Sequence, residues 1–298
     1  MIRFGLCCQF HEQPIKFKTT TATAVLKMDR VDGLKKINDL CMHNANALLD
    51  ALKYCCANNI RNFRIGSNIL PLKTHPKLGY ELHDLPHGQQ IIDLFKIAGN
   101  YAKDNNIRTC FHPDQFVVLN SPKPEVVKQS IAEIDYQAEL AEYVNADVIN
   151  IHGGGAYGDK NTALINFEKS VESLSERARG RLTVENDDKT YSPEDLLPVC
   201  ERLGIPLLYD VHHHRCNRDS LTIEGATEKA VASWGDREPM FHISSPIEGW
   251  DGPNPSRHHD FIDVLDFPEV WRTIKITVEV EAKAKEVAVL KLMKELQC

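Results

Sequence analysis

The stretch YDVHHH, Tyr209 to His214, sets an aspartate and three consecutive histidines directly after the apolar run IPLL. Polar side chains add little to the stability of a buried strand, but an aspartate and imidazoles at a strand tip make a set of metal donors. The same pairing of apolar run and polar end recurs along the chain. His112 closes IRTCFH, His152 closes DVINIH, and Glu185 follows RLTV. Asp210 has His213 just beyond it, His242 lies in MFHIS, and Glu281 ends ITVEVE. His75 falls in the segment after NFRIG, and His258 and His259 in the segment after MFHIS. Any one of these histidines alone is ordinary in a folded chain. Burying this many imidazoles and carboxylates together without a cation would leave charges unpaired and ring nitrogens unsatisfied.

Imidazole and carboxylate donors without thiolate suit Mn²⁺, Zn²⁺ or Fe²⁺ and disfavour Ca²⁺ or an iron–sulfur cluster. The candidates outnumber the ligands of a single ion, which implies more than one ion, with Glu185 and Glu281 as bridging carboxylates. Sites of this kind stabilise both the attacking and the leaving oxygen of an in-line displacement at phosphorus. Phosphodiester hydrolysis is therefore the first reaction class to consider. His212 and His214 are expected beside the ligands or toward the substrate.

Such residues can meet only if the elements bring them together. Short apolar or β-branched runs begin near residues 2, 62, 107, 147, 181, 205, 240 and 276. Between most of them lie segments with helical spacing: 29–57, 88–105, 124–145, 160–178, 193–203 and 222–234. Over 29–57, for example, Val31, Leu34, Ile37, Leu40, Ala45, Leu48 and Leu52 follow a period near ~3.6. Ser192-Pro193-Glu194 is a helix start signal. The alternation predicts an α/β fold, a single (β/α)8 TIM barrel over residues 1–298, with the metal cluster at the C-terminal ends of its strands. A doubly wound open sheet is the rival, but it would string the same residues along an edge.

Composition sets wider bounds. The 298 residues are 42% hydrophobic and 26% charged, ample for a large core. No stretch approaches the ~20 apolar residues of a membrane span. MIRFGLCCQFHEQ is expected to be the first strand rather than a secretory signal. Nine cysteines without a CxxC pattern point to free thiols in a reducing cytoplasm. The net charge of −7 counts against a nucleic-acid partner, unless acidic residues sit on divalent cations, which reverse the local sign. GGGAYGDK, Gly153 to Lys160, is open between a phosphate-cradling loop and a tight βα turn.

With these residues in view, the chain resembles the UV damage endonucleases, within the wider group of endonuclease IV-like metal barrels. THP (Thr74–Pro76), FHPDQF (Phe111–Phe116), INIHGGGAYGDK, VENDDK (Val184–Lys189), YDVHHH, FHISS (Phe241–Ser245), HHDFI (His258–Ile262) and VEAKAKE (Val280–Glu286) carry the resemblance, in family order over about residues 1 to 290. It implies a manganese-dependent enzyme, with two or three ions, that nicks damaged double-stranded DNA immediately 5′ of ultraviolet photoproducts and leaves 3′-hydroxyl and 5′-phosphate ends. By resemblance, the metal ligands are His112, His152, Glu185, Asp210, His213, His242, His258 and Glu281, with His258 preferred over His259. Glu185, His75, His242 and Glu281 are the expected catalytic residues. Gln115 and Phe116 are expected to probe the lesion, and Lys160, Lys189 and Arg215 to contact phosphates. A monomer in the cytoplasm, without membrane association, is the expected setting.

Three positions depart from the family pattern. Met240 stands where a lysine is usual two residues before the seventh-strand histidine. Strand alternation sets its thioether beside the cluster and puts one ion in question. Phe116 replaces a usual tyrosine, and Leu6 replaces another in the first strand. Two other readings compete. A sugar isomerase or epimerase on the same barrel would hold one metal with fewer histidines. A damage-binding protein without catalysis would bind irradiated DNA and never nick it.

Overall fold

The strand runs become parallel strands because both of their faces are covered, which favours unbroken Val, Ile, Leu and Phe over alternation. The computed structural model describes residues 2–297. Its strands are β1 (Ile2–Cys7), β2 (Asn62–Gly66), β3 (Arg108–His112), β4 (Val148–His152), β5 (Leu182–Glu185), β6 (Leu207–Asp210), β7 (Met240–Ile243) and β8 (Ile276–Val280). They pair in chain order and β8 returns to β1, so the sheet is a closed (β/α)8 barrel. Gly5 shows the closure directly, lying opposite Asn62 of β2 on one side and Glu279 of β8 on the other. A Cβ at Gly5 would stand 2.5 Å from Asn62 Nδ2, so only glycine admits that amide to the barrel interior.

The helices are α1 (Ala22–Val25), α2 (Arg30–Ala57), α3 (Gly88–Asp104), α4 (Pro124–Val144), α5 (Lys160–Val171), α6 (Glu176–Arg179), α7 (Pro193–Leu203), α8 (Val211–Cys216), α9 (Ile223–Ser233) and α10 (Lys285–Glu295). Their starts follow the sequence signals. Asp29 caps α2, Asp159 caps α5, and Ser192 with Asp195 forms a capping box on α7. The long helices lay apolar faces on the outer surface of the strands, where Ile37, Leu48, Phe95, Ile134 and Phe167 join one continuous core. None of the helices among the described residues is long and apolar enough to cross a membrane.

Two segments differ from expectation. The helix expected over 160–178 breaks, because Asp135 takes both the amide and the hydroxyl of Ser175, which then caps α6. The residues after Asp210 are helix, not loop: Asp210 is the N-cap of α8, and its carboxylate accepts from the His213 amide at 2.7 Å. One residue thereby ends a strand, starts a helix and keeps a second carboxylate oxygen for the barrel mouth.

Met240 lies two residues before His242 on β7, and its apolar contacts are distinct from the donor residues. It packs with Cys110, Val148, Leu208 and Trp234 in a small apolar group of its own. Two residues of strand separate it from His242, or ~7 Å along the strand. Its thioether belongs to this apolar group, whose Cys110 thiol donates to Glu279.

Candidate metal centre

Hydrogen bonds between strands that are not neighbours in the sheet show which side chains point inward. Glu185 of β5 reaches His112 of β3 through Oε2 at 3.0 Å and His242 of β7 through Oε1 at 3.0 Å. Oε1 also lies 3.4 Å from His213 Nδ1 on α8, and Oε2 lies 3.9 Å from His152 Nε2 of β4. Asn150 Nδ2 donates to Oε2 from the neighbouring strand and fixes the carboxylate in place. Glu185 is fully buried, and four imidazoles surround it.

The cluster continues across the barrel. Asp210 Oδ2 is 3.5 Å from His213 Nδ1 and 4.0 Å from His242 Nδ1. Glu281, one residue past β8, places Oε1 3.5 Å from His242 Nδ1 and Oε2 3.8 Å from His258 Nδ1. Donor atoms converge in three overlapping groups: His112, His152 and Glu185; Glu185, Asp210 and His213; and Asp210, His242 and Glu281. The groups share Glu185 and Asp210 in turn. Asp210 Oδ2 and His152 Nδ1 are buried without a hydrogen-bond partner among the protein's groups. Orphaned donors in a nitrogen- and oxygen-rich cluster suit a divalent cation of the Mn²⁺, Zn²⁺ or Fe²⁺ kind. His112 is pre-oriented for this: Nδ1 lies 3.0 Å from the Pro113 carbonyl, which leaves Nε2 for the centre.

The electrostatics are strongly coupled. Burial alone would raise the Glu185 carboxyl, but the His242 and His152 charges and the bonds from His112 and His213 hold it well below the usual range. Burial would lower the His242 imidazole, and the Glu185 carboxylate beside it instead pushes it up to about 10. His213 is likewise raised, against burial, by Asp210 and Glu185. His152 goes the other way, because burial outweighs its carboxylate neighbour. The cluster is asymmetric in access as well: the side chains of Asp210 and His242 are 0% exposed, those of His152 and His258 27%. These two histidines are the most exposed side chains of the cluster.

Comparison with known proteins fits this geometry. The family model described as "UV-endonuclease UvdE" matches residues 2–298. The chain belongs to that family. A UV DNA damage endonuclease of Bacillus velezensis is 32% identical over 313 aligned residues, covering 99% of this chain and 94% of the relative. The crystal structure of SacUVDE superposes with a TM-score of 0.87 at 30% identity, covering 100% of this chain and 98% of the other. Endonuclease IV from Thermus thermophilus, at 13% identity and a TM-score of 0.62 over 99% of this chain and 97% of its own, shares the barrel.

In this UvdE-family chain the remaining sequence-expected residues lie around the cluster. His258 faces Glu281 and accepts or donates at 3.2 Å with Ser244, whereas His259 turns away to accept from the Phe261 amide. His75 stands apart from the three donor groups. Its Nδ1 accepts from the Lys77 and Leu78 amides, which leaves the ring proton on Nε2. Gln115 and Phe116 are exposed in the loop after β3, with Phe116 78% exposed. Lys160 pairs with Asp195 at 2.6 Å, Arg215 lies 3.7 Å from Asp266 and over Trp250, and Lys189 has a 79% exposed side chain.

The two remaining histidines of YDVHHH divide their work. His214 is held between the Tyr209 hydroxyl and Asp219 and so fixes the turn after α8. His212 is buried, with its ring 5.1 Å from those of His258 and Trp250. In GGGAYGDK, Asn120 Nδ2 donates to the carbonyls of Gly153 and Gly155, and Gly154 adopts φ +83 against that same side chain. A tight βα turn accounts for these glycines.

Sequence reasoning missed Arg64 and Glu279. Arg64 Nε and Nη2 both bond Glu279 Oε2, and Nη1 lies 2.6 Å from Glu281 Oε1. His242 Nε2 lies 2.8 Å from both Arg64 Nη2 and Glu279 Oε2. The signal was available. Asn62 and Arg64, like Glu279 and Glu281, alternate onto one strand face, and a charged residue within an otherwise apolar barrel strand points inward only with a partner.

Proposed function

We propose that this chain is a metal-dependent DNA repair endonuclease that cuts the backbone immediately 5′ of ultraviolet photoproducts, pyrimidine dimers above all, leaving 3′-hydroxyl and 5′-phosphate ends. The observation that carries the reading is the run of three donor groups through Glu185 and Asp210 at the barrel mouth of a UvdE-family chain. His112, His152, Glu185, Asp210, His213, His242, His258 and Glu281 would hold the ions, with Mn²⁺ the favoured metal and Zn²⁺ or Fe²⁺ its competitors. Bound divalent ions supply Lewis acidity toward the scissile phosphate and its attacking water.

The chain's own residues do the rest. Glu185 holds four imidazoles in one constellation and spans two donor groups. His152 and His258, the most exposed side chains of the cluster, would meet an entering phosphate first. His75, with its proton fixed on Nε2, offers a donor to phosphate oxygen at the rim. Phe116 presents a bare ring to the duplex, and Gln115 beside it supplies an amide. Together they form a wedge suited to bases that leave the stack readily, as damaged ones do. Lys189, Lys160 and Arg215 would exchange Asp188, Asp195 and Asp266 for a backbone phosphate, with Lys189 the most exposed of the three. We place the enzyme in the cytoplasm, as a monomer acting through one catalytic domain over residues 1–298.

The test is a 5′-labelled duplex with one cyclobutane pyrimidine dimer at a defined position, incubated with the protein and Mn²⁺. A single cut at the phosphodiester 5′ of the dimer, with an end that a polymerase extends, is the expected result. Cuts at other positions, or ends that cannot be extended, would refute the assigned chemistry.

A further inference from the structure

The Asp210–His242–Glu281 group differs from the other two in what already touches it. Glu281 Oε1, the oxygen 3.5 Å from His242 Nδ1, is also the oxygen that Arg64 Nη1 holds at 2.6 Å. Arg64 Nη2 reaches the other nitrogen of the same imidazole at 2.8 Å. The guanidinium cannot easily swing away. Glu279 grips it through Nε and Nη2, and Glu279 is itself fixed by Asn62 Nδ2 at 2.9 Å and the Cys110 thiol at 3.0 Å. Arg64 is buried, with its side chain 10% exposed. The bonds and ion pairs of His112, His152 and His213 run to carboxylates and backbone instead, and those of the Asp210 carboxylate to imidazoles and backbone.

We propose that Arg64 is a built-in cation at this third group, so that the chain loads ions at the two groups sharing Glu185 and none between Asp210, His242 and Glu281. A fixed guanidinium repels a divalent ion placed beside it and holds the Glu281 oxygen nearest His242. It also carries its charge without loss, since guanidinium keeps its proton throughout the working pH range. Met240, packed among Cys110, Val148, Leu208 and Trp234, offers no nitrogen or oxygen donor to this group. The inference rests on the metal reading above and narrows it from two or three ions to two, with His242, His258 and Glu281 lining the centre rather than holding an ion of their own.

Native mass spectrometry of the Mn²⁺-loaded protein counts the ions directly. The expected result is two per chain, and three in the charge-balanced double variant Arg64→Met with Glu279→Gln, which frees Glu281 and His242. Anomalous scattering from wild-type crystals grown with Mn²⁺ locates the ions without any variant. The expected peaks lie at the His112–His152–Glu185 and Glu185–Asp210–His213 groups. A third wild-type ion, or a peak between Asp210, His242 and Glu281, would overturn the role of Arg64 while leaving the metal reading intact. A double variant that still takes two ions would overturn it too. No bound ion in either experiment would overturn the metal reading itself.

Discussion

Glu185 lies between 3.0 and 3.9 Å from the imidazoles of His112, His152, His213 and His242, and it takes part in two donor groups. Removing its charge removes the shared ligand and the main reason that His242 is protonated so readily. Glu185→Gln keeps the volume and the Asn150 contact. Its nicking activity is expected to fall by ~100-fold or more, with Mn²⁺ content reduced and the circular dichroism spectrum unchanged. Single-turnover assays with metal analysis check this, and activity within a few fold of wild type would contradict the cluster assignment. At this scale the sequence spoke clearly where a polar residue ended an apolar run, as at His112, His152 and Asp210. Where a polar residue sat inside one, the signal was weaker: only the alternation of Asn62 with Arg64, and of Glu279 with Glu281, onto one strand face marked them. Arg64 and Glu279 neutralise each other across 215 residues, and neither strand alone shows that pairing.

Element boundaries followed from capping chemistry, and the departures did as well. Ser192-Pro193-Glu194 announced α7, while α8 went unseen because histidines carry no strong helix signal and its cap, Asp210, was already assigned to the cluster. The loop from β1 to α1 is anchored from the far end of the chain. Glu286 in α10, itself buried, accepts from the amides of His11, Glu12 and Gln13 at 2.6, 2.7 and 3.1 Å. Glu286→Gln trades one acceptor oxygen for an amide that cannot accept, and is expected to cost about 2 kcal/mol of stability. Denaturant titration measures the loss, and hydrogen exchange should quicken at residues 11–13 before other sites.

Across the molecule the barrel closes on polar contacts at both ends. At the end opposite the donor cluster, Glu238 binds Arg3 and the Thr277 hydroxyl, and Arg108 also bonds Thr277. Burial would raise the Glu238 carboxyl, but the bonds to Arg3 and Thr277 and the charges of Arg3 and Arg108 bring it from 4.5 down to about 2. A carboxyl depressed on folding stabilises above its unfolded value, and that contribution disappears as pH falls through the folded one. Glu238→Gln is therefore expected to be less stable than wild type by about 2 kcal/mol at neutral pH, after allowing for solvent screening, with the gap closing between pH 4.5 and about 2. Unfolding curves of both proteins across that range check the sign. The eight-strand order was legible because helical segments separate most of the strand runs; between β7 and β8 there are only two short 3-10 turns, Val264–Asp266 and Glu269–Thr273. The net charge of −7 was the least informative number: many of the carboxylates it counts are committed to arginines, lysines or the donor groups.

The proposed metal-dependent cutting of damaged DNA would join the cluster to the exposed loop of Gln115 and Phe116. The measurement that meets it most directly uses supercoiled plasmid, untreated or ultraviolet-irradiated, with the purified protein and either Mn²⁺ or a chelator. The expected result is conversion of the irradiated plasmid to the nicked form with Mn²⁺, and none with chelator or on the untreated plasmid. Nicking that persists in chelator, or that falls equally on both plasmids, would contradict it.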